Sequence, residues 1–316
     1  MIPAIRIGIS SCLLGARVRF DGGHKKDPFI TETLGKFFQW IPVCPEIEMG
    51  LGTPRESLRL VDTLSTPHLI APHSKTDLTE IMACFAEKRL EELAQLNLHG
   101  YILKKDSPSC GMERVRVYGE KGAPQRKGRG LFAEALIRRF PLLPIEEEGR
   151  LQDLRLRENF IERVFSYYRW TELLRINPEP KDLIRFHTQH KLTLLSHSRE
   201  YYQKLGRLVA QTGKIPMQDL LREYGELFMT ALKVKVTTKK HVDVLYHLLG
   251  FLKKVLDSQD KAELISYLED YRKGLVPLIV PITLLRHHLR HHPIPWVLEQ
   301  TYLNPYPAEL MLRNHV

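Results

Sequence analysis

Cysteine is scarce here, with four residues in 316. So few thiols exclude a disulfide framework, and in a reducing compartment a clustered set favours metal binding or catalysis. No paired C-x₂-C knuckle is present, which argues against a structural zinc site. No apolar run approaches the roughly 20 residues of a membrane helix. The start, Met1-Ile2-Pro3-Ala4-Ile5-Arg6, is strand-like and carries no signal-peptide pattern. The expectation is a cytoplasmic protein with no membrane partner. Internal repeats and low-complexity segments are also lacking.

What is present is ordinary for a soluble globular chain, 43% hydrophobic and 27% charged, at a length that suits two domains. The net charge of +10 points to an acidic partner. Residues 1–150 carry 22 Lys and Arg against 19 Asp and Glu, while residues 151–316 carry 25 against 18 and hold 10 of the 14 histidines. The excess therefore sits mainly in the second half.

Three of the cysteines share a position. Cys12, Cys44 and Cys110 fall just past β-type runs in residues 5–12, 41–46 and 100–110, with helical patterns between them. That alternation predicts a parallel α/β sheet, whose ligands bind beyond the carboxyl ends of the strands. Three distant thiols would then meet at one edge. Three thiolates leave a fourth coordination position open, and soft sulfur selects zinc or iron–sulfur clusters over magnesium or calcium. A cubane iron–sulfur cluster with one open iron fits this count better than structural zinc. Cys84, on an amphipathic helix over 77–96 with a stripe of Leu78, Ile81, Phe85, Leu90 and Leu93, reads as a small buried hydrophobe.

Further expectations follow along the chain. A helix is expected near residues 28–40, short strands at 58–61 and 68–70, and a mobile basic loop over 119–130. A helix at 131–140 and a last strand at 142–145 complete the first domain. The run Glu146-Glu147-Glu148-Gly149-Arg150 reads as the boundary, giving an α/β domain over 1–148 and an all-α domain over 149–316. Helical period marks 153–175, 180–195, 197–212, 216–235, 239–256, 260–273 and 281–291, with Pro180, Pro216 and Pro281 near predicted starts. Tyr167, Tyr168, Trp170, Tyr201 and Tyr202 are candidate core.

The cysteines have useful neighbours. Glu46 lies two residues from Cys44, and Ser107 and Ser109 precede Cys110. These residues resemble a family. Ile9-Ser10-Ser11-Cys12-Leu13-Leu14-Gly15, Val43-Cys44-Pro45-Glu46 with Gly50-Leu51-Gly52-Thr53-Pro54-Arg55-Glu56, and Lys104 with Ser107-Pro108-Ser109-Cys110-Gly111 are similar to the thiouracil desulfidase family. His190-Lys191, His197-Ser198, residues 205–208 and 274–281, and Gln300-Thr301-Tyr302-Leu303 resemble the helical domain often fused to it. The pair looks like the bacterial tRNA 4-thiouridine desulfidases.

The resemblance implies a 4Fe-4S cluster on Cys12, Cys44 and Cys110 and removal of sulfur from a thiolated uracil base. It casts Glu46 as general acid or base and Ser107, or less strongly Ser109, as the group positioning water or relaying its proton. The dull readings are an ion pair from Glu46 to Arg55 or Lys104, and Ser107 as a turn-former. Arg17, Arg19, Lys104 and Lys105 are solvated surface or a grip on a nucleotide phosphate. In the helical half, Arg185, Lys191, Lys239 and Lys240 accompany aromatic or histidine residues and are candidates for contacting thiolated tRNA. His287 and His291 stand at i,i+4, but without a third ligand a charged helix face is the expectation over a metal site. The rival readings are a desulfidase of free thiouracil or small thionucleotides, and a non-catalytic iron–sulfur nucleic-acid-binding or sensor protein.

Overall fold

The computed structural model describes residues 5–119 and 123–315. It divides into two units, Met1–Asp153 and Leu154–Val316. Residues 1–4 of the strand-like start lie outside the described residues.

In the first unit the strands are β1 (Ile5–Ser10), β2 (Phe38–Val43), β3 (Arg59–Asp62), β4 (Pro67–Ala71), β5 (Thr76–Asp77), β6 (Gly100–Leu103), β7 (Val115–Tyr118), β8 (Gln125–Gly128) and β9 (Ile145–Glu147). Its helices are α1 (Pro45–Glu48), α2 (Thr79–Gln95) and α3 (Leu131–Arg139). One sheet has the order β2-β1-β6-β9, and each of its pairings is parallel. The chain leaves β1 towards β2 but leaves β6 towards β9, so the connections diverge between β1 and β6. That switch point is where such sheets open a crevice at their carboxyl ends.

Ile5, Ile7 and Ile9 are essentially buried in the central strand β1. Gly8 stands where a Cβ would fall 2.2 Å from the ring of Tyr101. Its missing side chain lets that buried ring lie across β1. The second sheet, β5-β4-β3-β7-β8, is mixed: β3 pairs antiparallel with β4 and parallel with β7.

Several local expectations need correction. Residues 28–40 are not one helix: a single π-type turn at Phe29–Thr33 and a 3₁₀ turn at Leu34–Lys36 run straight into β2. Leu34 and Phe38 are buried in the same core, and the β1–β2 ladder captures Phe38–Trp40. The basic loop holds a strand, β8, paired antiparallel with β7; residues 120–122 of that stretch lie outside the described residues. The last strand starts at Ile145 rather than 142. The acidic run read as the boundary is itself buried, Glu146, Glu147 and Glu148 being 4%, 5% and 8% exposed. On α2 the buried face is Met82, Ala86, Leu90 and Leu93, which leaves Ile81 and Cys84 exposed.

The second unit is helical from end to end: α4 (Leu154–Arg175), α5 (Pro180–His197), α6 (Arg199–Val209), α7 (Met217–Lys233), α8 (Thr238–Leu252), α9 (Ser258–Arg272), α10 (Ile279–His291) and the short α11 (Pro295–Leu298). Pro180 fills the first turn of α5 as its missing N–H permits. Trp170 anchors an aromatic cluster with Phe186, Tyr224 and Phe228. Tyr167, Tyr168, Tyr201 and Tyr202 are only half-buried, so the aromatic core is narrower than expected. No described helix is long and apolar enough to cross a membrane.

Three imidazoles are buried neutral. His190 donates Nδ1–H to the Phe186 carbonyl at 2.8 Å, while His187 and His241 share hydrogen bonds with the hydroxyls of Tyr224 and Tyr302 at 3.1 and 2.9 Å. Burial, reinforced by Lys191, Arg169 and Arg313 respectively, pushes His187 down to about 4 and His190 and His241 to about 3. The unfolded chain takes up these protons below the ordinary value of 6.5, and the folded unit does not until far lower pH. Their contribution is therefore complete above 6.5 and falls with pH, by up to about 1.4 kcal/mol per pH unit for each histidine. Urea denaturation followed by helical circular dichroism should show falling stability from pH 7 to 5. A flat profile would refute the buried neutral imidazoles.

Candidate functional site

The site is built from the loops leaving the parallel strands. Cys12 lies in a 3₁₀ turn (Ser11–Leu14) that follows β1 directly. Cys44 follows β2 and caps α1, its N–H donating to Glu48 Oε1 at 2.8 Å. Cys110 ends the loop after β6. All three line one cleft of about 460 Å³, together with Glu46, Arg55 and Ser107. The convergence expected from strand position is what the fold delivers.

The thiols are free and short of anionic stabilisation. Burial raises Cys12 to about 11 against a partial pull from Lys104. Burial also raises Cys44 and, further still, Cys110. Such sulfurs become thiolates when a cationic soft group takes the place of their protons. Among the described residues, no three His, Cys, Asp or Glu side chains are placed to hold a single metal ion. Three thiols that share a cleft without converging on a point suit a group several ångströms across, and Arg19, Lys25, Arg55 and Lys104 line the same cleft to balance its charge. The donor set thus fits an iron–sulfur cluster better than a lone ion.

Glu46 sits beside these thiols on the first turn of α1. Its Oε2 accepts from Arg55 Nε at 3.0 Å and its Oε1 from the Ser109 hydroxyl at 2.8 Å. Arg55 also donates to the carbonyls of Gly52 and Val18. The expected ion pair with Arg55 exists, and it is what orients the carboxylate. Lys104 does not reach Glu46; its ammonium donates to Glu148 at 2.6 Å.

The two serines divide the work differently than their order suggests. Ser109 is fully buried and spends its hydroxyl on Glu46. Ser107 Oγ accepts from the N–H groups of Ser109 and Cys110 at 3.2 and 3.1 Å. It forms the turn, as the dull reading held, yet it also lines the cleft and its own O–H proton is not used by those bonds. Among the expected cations, Arg19, Lys104 and Lys105 line the cleft, whereas Arg17 is exposed and is not among its lining residues.

Backbone packing fixes the Cys110 loop. The first N–H groups of α3 donate into it, Leu131 to Pro108 O and Ala133 to Ser109 O, both at 3.1 Å. A Cβ on Gly130 would lie 2.5 Å from the Ser109 carbonyl, so only glycine permits this approach.

In the helical unit, Arg185 is exposed and 3.8 Å from Glu299, Lys239 is exposed, and Lys191 lines a hollow of about 270 Å³ with Tyr202, His247 and Trp296. Lys240 is different: its ammonium is turned inward to the backbone carbonyls of His197 and Lys235. The rings of His287 and His291 pack at 4.7 Å, and no metal-holding group forms among the described residues.

Comparison with known proteins adds the following. Residues 7–148 match the 2-thiouracil desulfurase family, and residues 191–307 match a family of unknown function, DUF1722. The uncharacterized protein YbgA of Escherichia coli is 26% identical over 161 residues, 51% of this chain and 95% of that protein. The uncharacterized protein YbbK of Bacillus subtilis is 33% identical over 108 residues, 33% of this chain and 71% of that protein. A solved structure of a [4Fe-4S]-dependent thiouracil desulfidase, TudS, is 30% identical and spans 47% of this chain and 93% of its own, with a TM-score of 0.40.

Exposure and thiol basicity set an order of reactivity in the metal-free protein. Cys84, being exposed, should be alkylated readily by iodoacetamide at pH 8, whereas Cys12, pushed up to about 11, should react about 100-fold more slowly than a thiol of ordinary acidity. Residue-resolved mass spectrometry checks this. Equal rates at Cys84, Cys12 and Cys110 would contradict the buried site.

Proposed function

Over residues 7–148 the chain belongs to the 2-thiouracil desulfurase family, and from that premise we propose that it hydrolytically removes sulfur from 4-thiouridine in tRNA, giving uridine. The observation that carries this reading is the meeting of Cys12, Cys44 and Cys110 with Glu46 and Ser107 in one cleft. A 4Fe-4S cluster held by the three cysteines supplies, when bound, a soft Lewis acid for the sulfur of the base.

The rest is work for the chain's own side chains. Replacing C=S by C=O consumes one water and releases one hydrogen sulfide, with no net electron transfer. Glu46, oriented by Arg55 and Ser109, takes the proton of the attacking water and returns one to the departing sulfur. Ser107, its oxygen held by two backbone N–H groups, aims its O–H at the water or the base. Ser109 positions Glu46 and does not itself line the cleft. Phe20, 40% exposed and lining the cleft, offers a face for a pyrimidine ring. Arg19, Lys104 and Lys105 suit the adjoining phosphate, and Arg17 a phosphate further out.

The partner is thiolated tRNA, docked by the helical unit through Arg185, Lys191 and Lys239. The larger excess of positive charge in residues 151–316 supports this. A second reading, action on free thiouracil, is favoured by the likeness to TudS, a thiouracil desulfidase whose match spans only 47% of this chain. A mere sensor has no need of an oriented carboxylate beside its sulfur ligands.

Two measurements test these assignments. Glu46→Gln should keep its iron but lose roughly 10²–10⁴ of its desulfidation rate, the usual cost of removing a positioned acid–base group. Near-normal turnover would move proton transfer elsewhere. Replacing Arg185, Lys191 and Lys239 together by glutamine should weaken tRNA binding and flatten its salt dependence, with turnover of free thiouracil nearly unchanged. Unchanged tRNA affinity would favour the free-base reading.

A further inference from the structure

The acidic run at the end of the first unit has an unexpected set of partners. Glu148 accepts from Lys104 Nζ at 2.6 Å and from the Lys105 N–H at 2.7 Å. Glu147 accepts with one oxygen from the N–H groups of Met112 and Glu113 at 2.6 and 3.4 Å. Glu146 accepts from Arg150 Nε at 2.6 Å, and Arg150 reaches on to Glu113 at 2.7 Å. Between residues 104–105 and 112–113 lies the stretch that carries Ser107, Ser109 and Cys110.

We propose that Glu147 and Glu148 are positioning residues that clamp the two ends of the Cys110 loop and so present Ser107, Ser109 and Cys110 to the cleft. Glu147 ends β9 and Glu148 opens the turn after it, and the two carboxylates reach the exit and the entry of the loop respectively. Both are buried, and a buried carboxylate is retained only where donors satisfy it. Here the donors are the Lys104 ammonium and the backbone N–H groups of Lys105, Met112 and Glu113, at the two ends of the loop. Charge-assisted bonds of this kind are about twice as strong as neutral ones. Gly149 completes the fit, since a Cβ there would fall 2.5 Å from the side chain of Lys105.

The clamp also holds a charge in place. Lys104, which pulls on the Cys12 thiol, is fixed by Glu148, while its N–H donates to Ser10 Oγ at 3.0 Å. One carboxylate thereby holds the cation that acts on the Cys12 thiol.

This role takes its meaning from the desulfidase reading, whereas its test needs no turnover, so the two can fail separately. Cys110 is 7% exposed, and its alkylation is followed on protein stripped of metal. In Glu147→Ala its alkylation should rise roughly tenfold or more, the increase in local opening expected from losing a hydrogen bond to a charged group. Cys12 and Cys44 should keep their rates. Glu147→Gln, which retains an acceptor oxygen, should stay close to the original protein. Unchanged Cys110 protection in Glu147→Ala, or an equal rise at all three cysteines, would overturn the clamp. The unaltered protein gives a second reading by hydrogen exchange. The amides of Lys105 and Met112 should be protected as strongly as those of β6, and exchange at the rate of open loop amides would equally overturn it.

Discussion

Everything in the first unit depends on the parallel pairing of β1 with β2 and β6. Parallel strands send their carboxyl ends to one edge, so three chain segments must leave the sheet side by side whatever their distance in sequence. Cys12, Cys44 and Cys110 occupy those exits. Ile5, Ile7 and Ile9 supply the burial that holds the central strand, and Gly8 makes room for Tyr101 across it. The chemistry is placed by the pairing, and the loops then refine it.

Refinement here is largely electrostatic. Burial disfavours thiolates at all three cysteines, and cations around the same cleft favour them. The protein therefore keeps a set of thiols whose protons a cationic cluster would displace. Glu46 is treated in the opposite way, with both carboxylate oxygens hydrogen-bonded before any substrate arrives. Preorganisation of this kind lowers the reorganisation needed during reaction.

Much of this was legible in the sequence because period-two runs with Cys at their ends report both strand and exit. The helices of the second unit were legible for a similar reason, since a 3.6-residue apolar period persists over seven long segments and Pro180 marks a start. Other features left no local signal. Residues 28–40 look helical, but Phe38 is claimed by the β1 ladder. The burial of Glu147 and Glu148 left no local signal, because their donors lie more than 30 positions away at 104–105 and 112–113. Cys84 misled in the other direction, being on the correct helix but one step off its buried face. Lys240 looked like a nucleic-acid contact, yet its ammonium serves backbone carbonyls in its own unit.

The central claim is hydrolytic desulfidation at the three-thiol cleft. Its most direct measurement is an anaerobic reaction of iron-loaded protein with 4-thiouridine-containing tRNA in ¹⁸O-labelled water. The account predicts loss of 4-thiouridine, one labelled oxygen in each uridine formed and one sulfide released per turnover, all abolished in Cys110→Ala. Persistence of 4-thiouridine in the tRNA, or uridine without label, would contradict it.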